Sequence, residues 1–282
     1  MKKLNCLYLV SLAISVLAFN LNTSAQTNTY ITIEKVSVMI KNLNLTDSIT
    51  PNNKRIHQAV FEIQLNSSYE IKSILVKLQK ILRGTGSIKD DFSKLVISTK
   101  AYGLPRNVAS PTSERTYSFP TISEISVPEL NGSSKVALRL KIRMHSETVF
   151  VRYDVADELN IKPEETGITT VSMFSVRFLT LPTQSIYQIG SFSISGKLPT
   201  LQNISIQLAA AWDRQWNELY NANDGKPLGD VEITLMMPNF RDEVCRIILN
   251  DVRFIAYNSN LGNGDGPARV SYRLSVASAL FK

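Results

Sequence analysis

A strand, a helix and a strand occur in that order twice in this chain, and this repeat constrains its architecture more than any other feature. Phe61-Glu62-Ile63-Gln64-Leu65 runs into a helical stretch ending near Arg83, followed by a strand around 94–100. Asn203-Ile204-Ser205-Ile206-Gln207-Leu208 runs into a helical stretch ending near Asn221, followed by a strand over 231–236. Ile-Gln-Leu precedes the helix both times, at Ile63 and at Ile206, and a pair of strands is expected after each unit. A duplicated β-rich unit without a dense cluster of reactive side chains predicts a scaffold or a binding surface more than an enzyme.

The first 25 residues are expected to stand apart from this repeat. Lys2-Lys3 gives a positive start, residues 4–19 are apolar, and Thr23-Ser24-Ala25 offers small residues for a cut after Ala25. That is the layout of a secretory signal peptide. The alternative, a retained membrane anchor, is disfavoured because the apolar run is shorter than the roughly 20 residues that span a bilayer. No later stretch is apolar enough to span a membrane, and no Cys follows the apolar run to carry a lipid. An exported chain is therefore expected, in the periplasm, on the outer surface or outside the cell.

About 257 residues remain after such a cut, enough for one large or two ordinary domains. The expected layout is a first β-rich unit over 26–153, a linker over 154–170 and a second β-rich unit over 171–282. The linker holds Asp157, Glu158, Pro163, Glu164, Glu165 and Gly167, and its hydrophobic period is poor. Loss of Lys2 and Lys3 takes the formal net charge from +7 to +5, a mild excess that does not imply nucleic acid. Cys245 is the one thiol that stays. Between Val244 and Arg246-Ile247-Ile248-Leu249 it is expected to be buried in a strand, with pairing between subunits as the alternative.

Alternation of apolar and polar residues dominates. Ile31, Ile33, Val36, Val38 and Ile40 outline the first strands. Val136, Leu138, Leu140, Ile142 and Met144 form a long alternating strand, and Val270, Tyr272, Leu274 and Val276 form the last. One apolar face with a polar opposite is what an antiparallel sheet packed on one side requires. Two segments switch to helical period. Ile71, Ile74, Leu75, Leu78, Ile81 and Leu82 share one stripe, with Ser67 and Glu70 at capping-box spacing and Gly84 as the stop. Trp212, Trp216, Leu219 and Tyr220 share the other, ended by Asn223-Asp224-Gly225. Core packing is the expected role of that aromatic stripe, with a ligand platform as the alternative. The stretches 46–55, 103–115 and 258–267 read as loops. The fold class is thus mainly β with two short helices, as tandem β-barrel or β-sandwich units, each flanked by a helix.

No catalytic site, cofactor site or metal site emerges. His57 and His145 lack a second ligand at metal spacing, and only one Cys is left to join them. No Gly-x-Ser-x-Gly elbow, P-loop or dinucleotide-binding glycine pattern occurs. Asp90-Asp91 and Glu164-Glu165 are neighbours whose side chains diverge, which favours solvation. Asn221–Gly225 and Asn263–Gly266 resemble calcium loops but lack the spacing of ligands that calcium needs, and read as turns.

One surface feature stands out. The long strand puts Arg139, Lys141 and Arg143 opposite its apolar residues, with Lys135 and His145 in line. Such a row suits an anionic polymer, a phosphate-rich surface or an acidic partner subunit. A solvated sheet face whose charges discourage edge aggregation is the simpler reading. Nucleic acid is disfavoured, because no aromatics are interleaved for base stacking.

The second unit resembles the tail-tube family of contractile injection machines, which includes phage tail tubes and the type VI secretion tube protein. The likeness runs over roughly 171–282. It rests on Gly196-Lys197-Leu198-Pro199 leading into Ile204-Ser205-Ile206-Gln207-Leu208, the Trp-bearing helix, the strand over 230–236, a strand pair over 245–257 and a closing strand over 269–277. The first unit repeats the order without a Lys-Leu-Pro turn. The resemblance implies small barrels that pack side by side into rings which stack into a tube, the cationic face lining the lumen or meeting the next ring. The export signal departs from that family, whose tubes assemble in the cytoplasm.

The expectation that follows is an exported non-enzymatic structural protein, tail-tube-like, that associates with itself or with envelope partners. An exported module binding a glycan, an anionic polymer or a surface is the alternative. A hydrolase with dispersed carboxylates comes third.

Overall fold

The alternating apolar positions must find an interior, and two bent ribbons help to enclose it. The computed structural model describes residues 27–66, 68–83, 94–102, 109–153, 167–178, 181–195, 202–259 and 268–281. Within them the chain is mainly antiparallel β with two helices. No helix among the described residues is long and apolar enough to cross a membrane.

The first half contains β1 (Thr27–Ile33), β2 (Val36–Ile49), β3 (Arg55–Gln64), α1 (Tyr69–Arg83), β4 (Lys94–Tyr102), β5 (Ala109–Ser118), β6 (Thr121–Val127), β7 (Leu130–Asn131), β8 (Arg139–Ser146) and β9 (Thr148–Tyr153). The strands pair in the order β6-β8-β3-β2-β1-β4-β5-β9. β5 and β6 are one strand bent at Phe119-Pro120, and β8 and β9 are one strand bent at Glu147. Their pairing stays in step across both bends, with Ser118 opposite Thr148 and Thr121 opposite His145. The two bent strands therefore form one ribbon. One edge of the ribbon joins β4 and the other joins β3, so the pairings close into a six-stranded barrel. Ile31, Phe61, Ile63, Leu95, Leu140 and Ile142 point into it and are fully or almost fully buried. Each contributes about 1.5–3 kcal/mol by leaving water. The bend is held by buried Ser146, whose Oγ reaches the Ser118 carbonyl at 2.6 Å and accepts from the Thr148 N–H at 3.1 Å.

The second half contains β10 (Phe174–Phe178), β11 (Ile186–Ile189), β12 (Phe192–Ser195), β13 (Gln202–Ala209), α2 (Asp213–Asn223), β14 (Val231–Met236), β15 (Glu243–Asn250), β16 (Arg253–Asn258), β17 (Arg269–Val276) and β18 (Ser278–Phe281). Its ribbon has the same construction. β15 and β16 are one strand bent at Asp251-Val252, and β17 and β18 are one strand bent at Ala277. Asn250 stands opposite Ser278, and Arg253 opposite Ser275. Even the bulges coincide: the register slips between Ile122 and Glu124 in one ribbon and between Phe254 and Ala256 in the other, the same distance past each bend. β14 joins one edge of this ribbon and β13 the other, as β4 and β3 do in the first half.

The halves are stitched by backbone hydrogen bonds. β12 leaves β13 and pairs with β6, placing Phe192 opposite Val127, while β7 pairs with β11. The parting point is Gly190, whose N–H donates to the Ser205 carbonyl at 2.8 Å. A Cβ there would meet Ser205 Oγ at 2.5 Å. Residues 168–171 thread between the end of β3 and the start of β8. The Thr169 N–H donates to the Leu65 carbonyl at 3.0 Å, and the Leu138 N–H to the Thr169 carbonyl at 2.8 Å. α1 packs on β2 and β6 of its own half and reaches β18 of the other.

Several sequence expectations change. The two Ile-Gln-Leu runs are not equivalent in the sheets. Ile63 faces Leu140 and Leu208 faces Val270, and Leu140 and Val270 both lie six residues before the end of their strands. Phe61-Glu62-Ile63 therefore corresponds to Ile206-Gln207-Leu208. Residues 245–257 hold the two expected strands, β15 and β16, but these do not pair with each other and run on as the two arms of one bend. The loop expected over 46–55 shrinks to a turn over 50–54, closed by the Lys54 N–H donating to Thr50 Oγ1 at 3.1 Å. The loop expected over 103–115 is strand from Ala109 on.

α1 is capped by Ser68, whose Oγ accepts from the Ile71 N–H at 3.2 Å, because the Asn66 side chain turns the chain by accepting from the Ser68 N–H. Ser67 and Gly84, the expected cap and stop, lie outside the described residues, as do Gly196-Lys197-Leu198-Pro199 and 154–166. On α2, Trp216 is fully buried against Phe178 and Tyr272, with ring centroids 5.5 Å away in each case. The aromatic stripe is core, except that Trp212 sits in a 3-10 turn before the helix and stays 46% exposed.

Candidate functional site

The strand that carries the cationic row is β8, the central strand of β6-β8-β3. Leu140, Ile142 and Met144 point into the barrel, so Arg139, Lys141 and Arg143 point out and are exposed. Lys135 is not in line with them. The strand begins only at Arg139, because 134–137 turn outward to meet 170–171, and Val136, expected in the core, is 66% exposed. His145 is half-buried at the other end of the row, between Gln58 and Thr121.

Carboxylates from both flanking strands stand among these cations. Glu62 on β3 lies 3.8 Å from Arg139 and accepts from the Asn42 amide at 2.8 Å. Glu124 on β6 lies 3.8 Å from Arg143 and accepts hydroxyl hydrogen bonds from Ser193 on β12 and from Ser126 at 2.9 Å. The Ser193 hydroxyl above all, then Ser126 and Arg143, holds the Glu124 carboxyl below the usual carboxylate range. Exposed pairs of this kind contribute about 0–1 kcal/mol each. The face is a charge network rather than a bare cationic stripe: two carboxylates set against three cations. The sequence reading missed Glu62 and Glu124 because cross-strand neighbours depend on register, although each lies on an alternating strand whose outward positions were countable.

The register of the second ribbon adds a feature that no motif signalled. Positions Arg139 and Arg143 on β8 correspond to Arg269 and Arg273 on β17, counted back from Ser146 and Val276. Arg269 lies over the Tyr187 ring, 3.8 Å from its centroid, and Tyr187 donates from its hydroxyl to Ser133.

The remaining reactive side chains have structural partners. His57, expected in a loop, lies on β3 with Nδ1 2.8 Å from Asp47 Oδ1. That contact, with Arg55 and Arg115 nearby, lowers the Asp47 carboxyl pKa. Cys245 is buried on β15, and desolvation pushes its thiol up to about 12, so it is not a nucleophile in the folded chain. Asp213, at the start of α2, accepts from the Tyr257 hydroxyl at 2.7 Å and the Tyr272 hydroxyl at 2.5 Å, which ties the helix to β16 and β17. Asn223, from the first calcium-like loop, donates to the Lys226 carbonyl at 2.9 Å and closes a turn. The second calcium-like loop lies outside the described residues. Among the described residues no three of His, Cys, Asp and Glu are grouped to hold a metal ion.

Some exposed apolar side chains are concentrated on one edge. Among the described residues β9 pairs with β5 alone, and Phe150, Val151 and Tyr153 are 61%, 38% and 74% exposed. Its sequence, Thr-Val-Phe-Val-Arg-Tyr, is strongly β-forming and lacks the alternation of a strand buried on one face, a signal that an edge was present.

No family model and no curated protein matches the chain. Among solved structures, the chain is similar to the anti-feeding prophage cap, the tube terminating cap, solved by cryo-electron microscopy, with 7% identity, 44% of this chain and 87% of that chain covered, and a TM-score of 0.29.

Proposed function

We propose that this chain is an exported, non-enzymatic structural protein that assembles with copies of itself, in the manner of a tail-tube subunit, or docks on envelope partners. One observation carries the reading: among the described residues the sheets end in strand edges without a neighbour that carry exposed apolar side chains, β9 above all, where a monomer normally protects them. The N-terminal leader pattern supports export. The burial of Cys245 and the structural pairing of His57 support a role without chemistry.

The test is the mass of the purified protein by light scattering across a range of concentrations. Growth to a ring-sized or polymeric mass is expected. A strict monomer at every concentration overturns the reading. It would favour a second one, an exported module binding an anionic polymer or glycan, which the recurrence of Arg139 and Arg143 as Arg269 and Arg273 supports.

A further inference from the structure

The two halves of this chain already form one joint, and each surface of that joint has a counterpart elsewhere that is bare among the described residues. In the joint, the outer edge of β6 is filled by β12. The counterpart of β6 is β16, which follows the corresponding bend and carries the corresponding bulge. β16 ends its sheet, and its outer edge has no strand beside it among the described residues. In the joint, β18 lies under α1, and Phe281 is 3% exposed. The counterpart of β18 is β9, and the residue that corresponds to Phe281 is Val151, 38% exposed beside Phe150 and Tyr153. The strand that fills β6 is β12, which continues β11, the neighbour of β13. The corresponding neighbour of β3 is β2. It pairs with β1 over Val36–Ile40 and, from Ile40 on, with β3. From Asn44 to Ile49, β2 is paired to β3 alone among the described residues, and Ile49 is 71% exposed.

One of these vacancies belongs to the second half and two belong to the first. The tail side, on the second half, is the open edge of β16 with exposed Ile255 and the neighbouring α2, whose leading turn exposes Trp212. The head side, on the first half, is the open edge of β2 over 44–49 with the bare face of β9. We infer that a second copy of this chain docks head to tail, its β2 edge pairing antiparallel with β16 and its β9 lying under α2, so that the joint between chains repeats the joint within the chain. Such a contact uses two different surfaces. It therefore propagates to a closed ring or an open helical array and does not stop at a two-fold dimer. Backbone hydrogen bonds along the strands supply the affinity, and Phe150, Val151 and Ile255 supply apolar area of the kind that the in-chain joint buries at Phe281.

This inference rests on the self-assembly reading, and cysteine cross-linking separates the two. In a Cys6→Ser background, Thr46→Cys on the head is combined with Arg253→Cys, Ile255→Cys or Asn258→Cys on the tail, all exposed positions, and oxidised under mild conditions. Buried Cys245 stays silent. One of the double variants is expected to give a ladder of oligomers. Every single variant gives monomer, and a mixture of the two matching single variants stops at dimer. Phe150→Asp is expected to reduce the mass of the unlinked protein to one chain with its circular dichroism unchanged. Dimers from a single variant would mean a two-fold contact and overturn the head-to-tail joint. An assembling wild type that gives no ladder with any pair overturns the joint alone. A wild type that stays at one chain overturns both the joint and the assembly reading.

Discussion

Phe119 and Asp251 hold the same place in the two halves of this chain: each bends the first strand of its ribbon, and each has a left-handed backbone, with φ of 47° and 49°. The residues before them, Ser118 and Asn250, face Thr148 and Ser278 on the partner strands. A shared backbone conformation at a shared register position is a stronger mark of duplication than the Ile-Gln-Leu runs, which the sheets place two residues out of step.

The bend makes a testable difference between the two positions. A left-handed conformation costs an ordinary L-residue about 1–2 kcal/mol, while Asp is better suited to it through local hydrogen bonding. Phe119 is 69% exposed and has little packing to lose. Phe119→Gly is therefore expected to stabilise the protein by about 0.5–1 kcal/mol, the relief of strain exceeding the added freedom of the unfolded chain. Asp251→Gly should be near neutral, since it also gives up nothing but exposed contacts on its side chain. Urea unfolding of both variants checks this. A destabilised Phe119→Gly would show that the aromatic ring has a partner.

Trp216 anchors the second half. It is fully buried, contacts Phe178, Phe254 and Tyr272, and donates from Nε1 to the Pro182 carbonyl at 3.2 Å. Trp216→Ala is expected to cost about 3–5 kcal/mol, and Trp216→Phe distinctly less. Equilibrium denaturation followed by far-ultraviolet circular dichroism measures both. A cost under about 1 kcal/mol for the alanine variant would mean that the aromatic cluster does not hold the core.

How much of this was legible in the sequence follows the range of the interactions. Alternation located β8, β13 and β17, and helical period located the stripe Ile71, Ile74, Leu75 and Leu78, because both patterns are local. The ribbons were not legible. β15 and β16 read as a strand pair because Asp251 interrupts the alternation, and a residue suited to a left-handed backbone marks a bend within a strand and a turn between two strands alike. The cationic row of Arg139, Lys141 and Arg143 was read correctly as outward-facing. Glu62 and Glu124 were invisible as its partners, because they lie about 80 and 20 residues away in sequence and meet the row only through the register of three strands. Lys135 was placed in line because the alternation begins at Val136, but the crossing of 168–171 over the start of β8 overrides that local signal.

Alkaline stability should depend on Tyr272. Burial, then its hydrogen bond and proximity to Asp213, raise the Tyr272 hydroxyl well above its ordinary value near 10. A raised folded-state pKa gives stability that is complete below the unfolded value and is lost as pH rises through the folded one. The unfolding free energy is therefore expected to fall from about pH 10 upward, more steeply than in Tyr272→Phe, which removes this ionisation. Parallel alkaline limbs for the two proteins would exclude Tyr272 as the cause.

The acid limb reports on the charge network instead. Glu124 has its carboxyl pKa lowered, first by Ser193 and then by Ser126 and Arg143. A lowered folded-state pKa gives stability that is present above the unfolded value, near 4.3 for a glutamate, and lost as pH falls through the folded one. Glu124→Gln is therefore expected to flatten the loss of stability below about pH 4. Ser193→Ala should do the same in part, because it removes the largest single cause. Ser193 sits on β12 and Glu124 on β6, so the hydroxyl–carboxylate contact also spans the joint between the halves. Thermal unfolding between pH 3 and pH 7 should thus show Ser193→Ala losing stability at neutral pH and converging with wild type in acid. A difference that stays constant across that range would mean that Ser193 acts through packing of the joint and not through the Glu124 charge.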